Sequence, residues 1–330
     1  MKQFLQKKAK LVFLCMLVLL TCTACANPRG RDGKTLADQI IASEETTIDA
    51  SQINYKDISD KELKKEIKKN IKDGQYTIQP TTFKESMSKG WFEGLIVWPI
   101  AQIINLISAK TDAGVGIILT TLLIQVLVFL FTRKSQMSTQ RMQEIQPEIQ
   151  KIQNKYKDKT DERSKMQMAQ EMQNIYQKYD IHPFGSMLIT FIQLPIMMGM
   201  YYATMRSVSV VSGSFMGISL AGTPLDGFKA FDIAYISIYV LMVIFYIVSM
   251  KIPQWLKKWQ DKKDNVKVKK YAQEQTNPMA NSMNMSMYFM TAMICIMYIS
   301  WPMAMSFYWL VSSVIRVCQS LILHKVMNKK

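Results

Sequence analysis

Five apolar runs decide what this chain can become: roughly Val115–Phe131, Phe184–Met205, Phe231–Met250, Met285–Met303 and Ala304–Leu323. Each is close to, or reaches, the ~20 residues that a helix needs to cross a bilayer. In hydrocarbon every backbone amide must find its partner inside the structure, which a helix provides. The mean hydropathy of +0.01 conceals these runs by averaging them with a polar remainder. A soluble globular enzyme is excluded.

The net charge of +16, from 41 Lys+Arg against 25 Asp+Glu, would ordinarily suggest nucleic acid. Here the basic residues stand in the loops beside the apolar runs, so no DNA partner is expected. His182 and His324 are the only histidines, too little material for a histidine metal site or triad. Of Cys15, Cys22, Cys25, Cys295 and Cys318, none forms a zinc-like pair in a soluble segment, and the last two lie inside apolar runs. No disulfide framework, metal or cofactor is expected.

The N-terminus has the three parts of a secretory signal, expected over residues 1–24. Lys2, Lys7, Lys8 and Lys10 precede the apolar stretch Leu11–Leu20, and small residues follow. Ala24–Cys25 resembles the end of a lipobox, which would make Cys25 an acylated (palmitate-type) N-terminus, although Cys22 stands where lipoboxes usually carry Leu. The other reading is an uncleaved first helix, which so short an apolar stretch fits poorly. Residues 25–89 are polar with little periodicity and are expected to form an extracytoplasmic tether with one or two marginal helices. Residues 90–110, with Trp91, Trp98 and Pro99 among apolar residues and Glu93, Gln102 and Asn105, predict an amphipathic helix on the outer surface, since no partner domain is evident.

Charge sets the topology, because short cytoplasmic loops collect Lys and Arg. Ten basic residues, Arg133 to Lys178, lie between the first two runs, and eight lysines, Lys251 to Lys270, between the third and fourth. Ser207–Ala230 offers only Lys229, and the last connection is little more than Trp301–Pro302. The expected order is therefore span one at 111–132, a cytoplasmic segment at 133–183, span two at 184–206 and an outer loop at 207–230. Span three at 231–250, a basic cytoplasmic loop at 251–282, span four at 283–301, span five at 303–323 and a cytoplasmic tail at 324–330 complete it. The fold class expected is an all-α integral membrane protein: a five-span bundle with an outer interfacial helix and a cytoplasmic helical hairpin.

The hairpin rests on periodicity. Met142, Ile145, Ile149, Ile152 and Tyr156 step by three and four, as do Met168, Met172, Ile175 and Tyr179 after the polar turn Lys157–Glu162. Pro147 is expected to bend the first helix. Such a hairpin is either a solvated surface or a landing site for a ribosome or an emerging chain. The lysines after Met250 can meet anionic lipid, ribosomal RNA or nothing specific.

Polar residues inside the spans carry the functional signal. Gln125 and Gln193 lie mid-span, and Trp309, Ser312, Ser313, Arg316 and Gln319 share one helical face. Such groups either face a wet cavity or bond a neighbouring helix. No Asp or Glu stands mid-span opposite Arg316, which then either charges a cavity or snorkels to the headgroups. Of the 26 methionines some cluster near these positions, and most read as ordinary filler.

Three ordered motifs, QPEIQKIQNKY (Gln146–Tyr156), FIQLPIMMGMYYA (Phe191–Ala203) and WPMAMSFYWLVSSVIRVCQ (Trp301–Gln319), resemble the YidC/Oxa/Alb membrane protein insertases in their Gram-positive lipoprotein form. The resemblance covers roughly Trp91–Leu323. It implies a non-enzymatic insertase and chaperone with a hydrophilic groove open to cytoplasm and lipid, working on nascent membrane proteins beside ribosome, Sec translocon and membrane lipids. It also implies that the hairpin receives clients, that Gln193 lines the groove and that Trp309 touches the client. Where the family carries a groove arginine in span one, this chain has Gln125, and Arg316 is the expected replacement. The competing reading is a small-solute transporter or channel, which lacks the internal repeat many transporters show. A surface enzyme built on residues 26–89 lacks any catalytic constellation, and no P-loop is present.

Overall fold

The computed structural model describes residues 28–157, 159, 161–181, 184–263, 289 and 291–327. The expected signal (1–24), the lipidation site Cys25, the residues after Lys263 in the basic loop and the tail beyond Met327 lie outside the described residues. Contacts divide the chain into two units.

The first unit takes in the described residues up to Thr120, together with Gln193–Thr223 and Pro302–Tyr308. The segment expected as a tether is a folded module. Strand β1 (Thr35–Leu36) pairs in parallel with β3 (Ile53–Asn54), and β2 (Thr46–Asp49) pairs antiparallel with β4 (Gln75–Ile78). Helix α1 (Lys61–Asn70) starts on an Asp60 cap, and α2 (Phe83–Lys89) on a reciprocal Thr82–Glu85 capping box. These are the two short helices the sequence allowed. Ala37, Ile40, Ile48, Ile53, Ile58, Ile67 and Ile78 form the core, completed by Val208 and Val211 from far along the chain.

The module is the partner domain for residues 90–110 that is not evident in the sequence. A π-helical turn, Glu93–Val97, leads into α3 (Trp98–Ser108). Its polar side chains bond the module's backbone: Trp98 Nε1 donates to Thr81 O (2.9 Å), Gln102 Nε2 to Ala42 O (3.1 Å) and Asn105 Nδ2 to Ile41 O (2.8 Å). Asn105 Oδ1 accepts from Ser207 Oγ at 2.6 Å. Glu93 pairs with Arg206, a side chain that is nearly fully buried and also donates to Gln39 O at 2.7 Å. The Ile41 amide donates to Arg206 O at 2.6 Å and the Val208 amide to Ile41 O at 3.0 Å, a parallel bridge between the module and the end of the next-but-one long helix. Gly199 permits the close approach of residues 93–108, because a Cβ there would lie 2.4 Å from Ile96 Cγ2.

Helix α4 (Ala113–Glu144) runs straight past the expected boundary at residue 132. Hydropathy marks where a bilayer ends, whereas a helix ends where Pro, Gly or a cap stops it, and Arg133–Glu144 offers none of these. The break comes at Ile145, whose ψ of 0° is not helical, and Pro147 sits in the first turn of α5 (Gln146–Lys155). There its missing N–H costs nothing, so the expected bend is a break between two helices. Helix α6 (Glu162–Lys178), capped by Asp161, returns antiparallel to α5. The seam follows the periodicity in part: Ile145 and Ile149 pack with Ile181, flanked by Met142, Met172, Ile175, Tyr176 and Tyr179, so Ile181 and Tyr176 join it from outside the expected set and Met168 is not in it.

Helix α7 (Phe184–Arg206) contains Pro195. After the single turn α8 (Val208–Val211) come a two-residue hairpin, β5 (Ser214–Phe215) with β6 (Ile218–Ser219), and α9 (Pro224–Ala230). Helix α10 (Ile233–Lys263) does not stop at Met250, so the first part of the expected basic loop is helix, with Pro253 inside it. Residues 291–298 are helical, and α11 (Met303–Met327) closes the described chain.

Among the described residues three helices are long and apolar enough to cross a membrane, within Ala113–Met142, Ile233–Gln260 and Met303–Met327. Apart from short strand pairs, the regular structure of the described residues is helical, that of an all-α membrane protein.

Candidate functional site

The second unit comprises Thr121–Ile192, Pro224–Trp301 and Trp309–Lys330. Most of the polar residues singled out in the sequence come together in it. On α11, steps of three, four and seven set Trp309, Ser312, Ser313, Arg316 and Gln319 along one side. Ser312 and Ser313 are fully buried, and Gln125 on α4 is 4% exposed. Gln125 Nε2 donates to Ser312 Oγ at 3.2 Å. One residue on, Ser313 Oγ accepts from Arg316 Nη2 at 3.0 Å. Gln319 is buried further along the same helix.

The half-buried Arg316 guanidinium turns back along its helix. Its Cζ lies 5.6 Å from the Trp309 ring centre and 5.9 Å from that of Tyr246 on α10, within the range in which a cation is drawn to an aromatic face. Trp309 stacks on Tyr298 (4.9 Å between centres, 28° between planes) and meets Tyr246 edge-on at 6.1 Å. A snorkelling arginine would reach toward the C-terminal end of α11, where His324 and Lys325 stand. Arg316 points the other way, toward residues three and seven positions earlier. The arrangement holds a fixed cation next to buried hydroxyl and amide groups and an aromatic wall, with no nucleophile–base pair and, among the described residues, no cluster of metal-binding side chains.

Trp309, expected to touch a client, is 7% exposed, with Tyr298 and Tyr246 against its ring. Gln193 is placed in the first unit, half-buried, where its Nε2 donates to Tyr308 Oη at 3.1 Å. Tyr246, Tyr298 and Tyr308 were not among the residues the sequence offered. Their signal was available: a tyrosine inside an apolar run brings a hydroxyl that needs a partner.

The hairpin has its own polar lock. Lys155 Nζ lies 2.5 Å from Glu171 Oε1, which also accepts from Tyr156 Oη at 2.9 Å, while Tyr179 Oη donates to Glu148 at 2.6 Å. The bonds from Lys155 and then Tyr156 hold the Glu171 carboxyl below its usual range, and the Glu171 bond raises both Lys155 and Tyr156. The ammonium groups of Lys155 and Lys159 each stand 5.2 Å from the Tyr156 ring centre.

Comparison with known proteins gives the same direction. The family model described as "60Kd inner membrane protein" matches residues 105–330. The chain is 31% identical over 237 residues to membrane protein insertase YidC 1 of Streptococcus pyogenes serotype M1, covering 72% of this chain and 75% of that one. It is 27% identical over 238 residues to membrane protein insertase MisCA of Bacillus subtilis, covering 72% and 80%. With membrane protein insertase YidC of Oceanobacillus iheyensis it shares 28% over 245 residues, 74% of this chain and 87% of the relative.

Proposed function

Because the chain belongs to the 60Kd inner membrane protein family, the YidC-type insertases, we propose that it inserts nascent membrane proteins into the bilayer and helps them fold. The mechanism is non-covalent. Polar stretches of a client are costly in hydrocarbon, and a wet groove among five spans, open to cytoplasm and lipid, lowers that cost while the client's apolar helix stays in lipid. No nucleotide or other cofactor takes part.

The observation that carries this reading is the polar row itself. Gln125, Ser312, Ser313 and Arg316 lie side by side on helices long and apolar enough to span a membrane. A purely structural bundle has little use for so many costly groups in one place. The rearward aim of the guanidinium favours a charged groove over snorkelling, and Arg316 stands in for the span-one arginine that Gln125 replaces. The family resemblance assigns Gln193 to the groove lining and Trp309 to client contact, and Gln319 shares the helical face of Trp309 and Arg316.

Around this core the charge distribution gives the topology. An outer N-terminus is anchored through lipidated Cys25 after removal of the signal, and the C-terminus is cytoplasmic. Residues 90–110 lie at the outer surface, and the exposed Trp91, Leu95 and Leu106 suit the lipid boundary. The cytoplasmic hairpin receives clients, with the ribosome and the Sec translocon as natural neighbours.

The test is reconstitution in proteoliposomes with photo-crosslinkers at Gln193 and Trp309. Insertion of a client with crosslinks from both positions is expected. Solute flux without client insertion would instead establish the transporter reading.

A further inference from the structure

A cavity of about 320 Å³ opens between α10 and the helical stretch 291–298. Val243, Ile247 and Met250 line one side, Ala292 and Cys295 the other, and Lys251 stands at one end. The Thr291 hydroxyl is turned into its own protein, donating to Met250 Sδ at 3.6 Å, so the walls offer a ligand almost nothing but carbon. Its depth in the membrane follows from helix geometry. Ile233 to Lys251 spans ~27 Å at the usual rise, and the hydrocarbon core is ~30 Å thick. Lys251 therefore stands at the bilayer edge, and the slot runs from it into hydrocarbon for ~12 Å, to Val243.

The charge above the slot is mainly positive, with Asp261 the single acidic residue between Lys251 and Lys263. Lys258 follows Lys251 by two helical turns on the same side of α10, and Lys257, Lys262 and Lys263 complete the end of the helix. Trp255 and Trp259 are exposed at the same level, and Lys263 Nζ lies 5.6 Å from the Trp259 ring centre. Exposed tryptophan beside lysine is the composition of a headgroup layer.

We infer that this slot binds one anionic phospholipid, an acyl chain between α10 and residues 291–298 and the phosphate at Lys251 and Lys258. The apolar walls select an alkyl chain, and the lysines select a negative headgroup. A basic pocket between membrane helices at a charged interface is where such lipids bind. The inference goes beyond the insertase reading, since it concerns a face that need not meet the client.

Native mass spectrometry of the full chain in mild detergent tests it, with phosphatidylglycerol and phosphatidylcholine of identical chains as probes. Phosphatidylglycerol is expected to be retained preferentially, as a single adduct. Lys251→Gln should weaken its retention about fivefold, the ratio that ~1 kcal/mol per lysine represents, and leave phosphatidylcholine unchanged. Ala292→Phe and Val243→Phe fill the slot from opposite walls, and either one, at an unaltered melting temperature, should abolish the adduct. Equal retention of both lipids by the unaltered protein overturns the inference. So does loss on Lys251→Gln with no loss on filling the slot, which would leave only surface attraction, and so does displacement of the adduct by RNA or by a client helix.

Discussion

The Gln125 amide of α4 donates to the Ser312 hydroxyl of α11 at 3.2 Å, both side chains being buried in the second unit. A bond of this kind between membrane helices is worth about 0.6 kcal/mol on average and at most ~1.7. Ser312→Ala and Gln125→Leu should each lower the unfolding midpoint in detergent. The double variant should be less destabilised than the sum of the two, with a coupling near that average. Strictly additive effects would mean that the contact contributes nothing.

The same contact puts residue 125 one position from Ser313, the acceptor of the Arg316 guanidinium. Arg316→Ala should therefore abolish insertion of clients with acidic translocated tails, and adding Gln125→Arg should restore it, since clients sense the field in the groove rather than the helix that supplies it. Clients with neutral tails should be affected much less. Normal insertion of acidic-tailed clients by Arg316→Ala would end the groove-charge idea.

Deleting Lys157–Glu162 removes the hairpin tip together with Asp161, the cap of α6. Insertion should fall severalfold while the protein still accumulates in the membrane with unchanged protease protection of its spans. A stable deletion that inserts normally would reduce the hairpin to a solvated surface.

The hairpin should also loosen in acid. Glu171 has its folded pKa below the ordinary 4.5, so its contribution is fully present above that value and disappears as pH falls through the lower folded one. Lys155 and Tyr156 are raised, so theirs is present at neutral pH and lost only in strong alkali. Amide protection in α5 and α6, taken relative to the unfolded chain at each pH, should fall on acidification below about 4.5, and Glu171→Gln should remove most of that response and also weaken the alkaline one, since Glu171 is the partner that raises Lys155 and Tyr156. An equally steep acid response in Glu171→Gln would assign it to other carboxylates.

Three of the apolar spans, most of the hairpin seam and the polar row on α11 were legible because each depends on a local rule. Apolar length, a period of 3.6 and the cost of an amide in hydrocarbon all act within a few turns of one helix. Helix ends were less legible: α4 and α10 outrun their apolar stretches because nothing in Arg133–Glu144 or Lys251–Lys263 breaks a helix abruptly, Pro253 included. Residues 28–89 were the least legible. Their core is built from isolated isoleucines: Ile48, Ile53 and Ile78 on strands of two to four residues, Ile67 on α1, and Ile40 and Ile58 between elements, a scatter in which no period shows. The tyrosines around Trp309 were missed for another reason, since inside an apolar run they look like part of it.

The bridge between Ile41 and Ser207 imposes a timetable on biosynthesis. Val208 and Val211 belong to the module's core, and the Ile41 backbone bonds the chain at Arg206 and Val208. At ~5–20 residues per second, the roughly 130 residues from Ile78 to Val208 take on the order of ten seconds to make. Through that interval the module has its strands but not its last two core valines or the partner of its Ile41 amide. It can finish folding only after two further long helices have been synthesised. The earliest described part of the chain is thus among the last to close, and a half-made protein carries an open apolar surface that the chain around Val208–Val211 must seal.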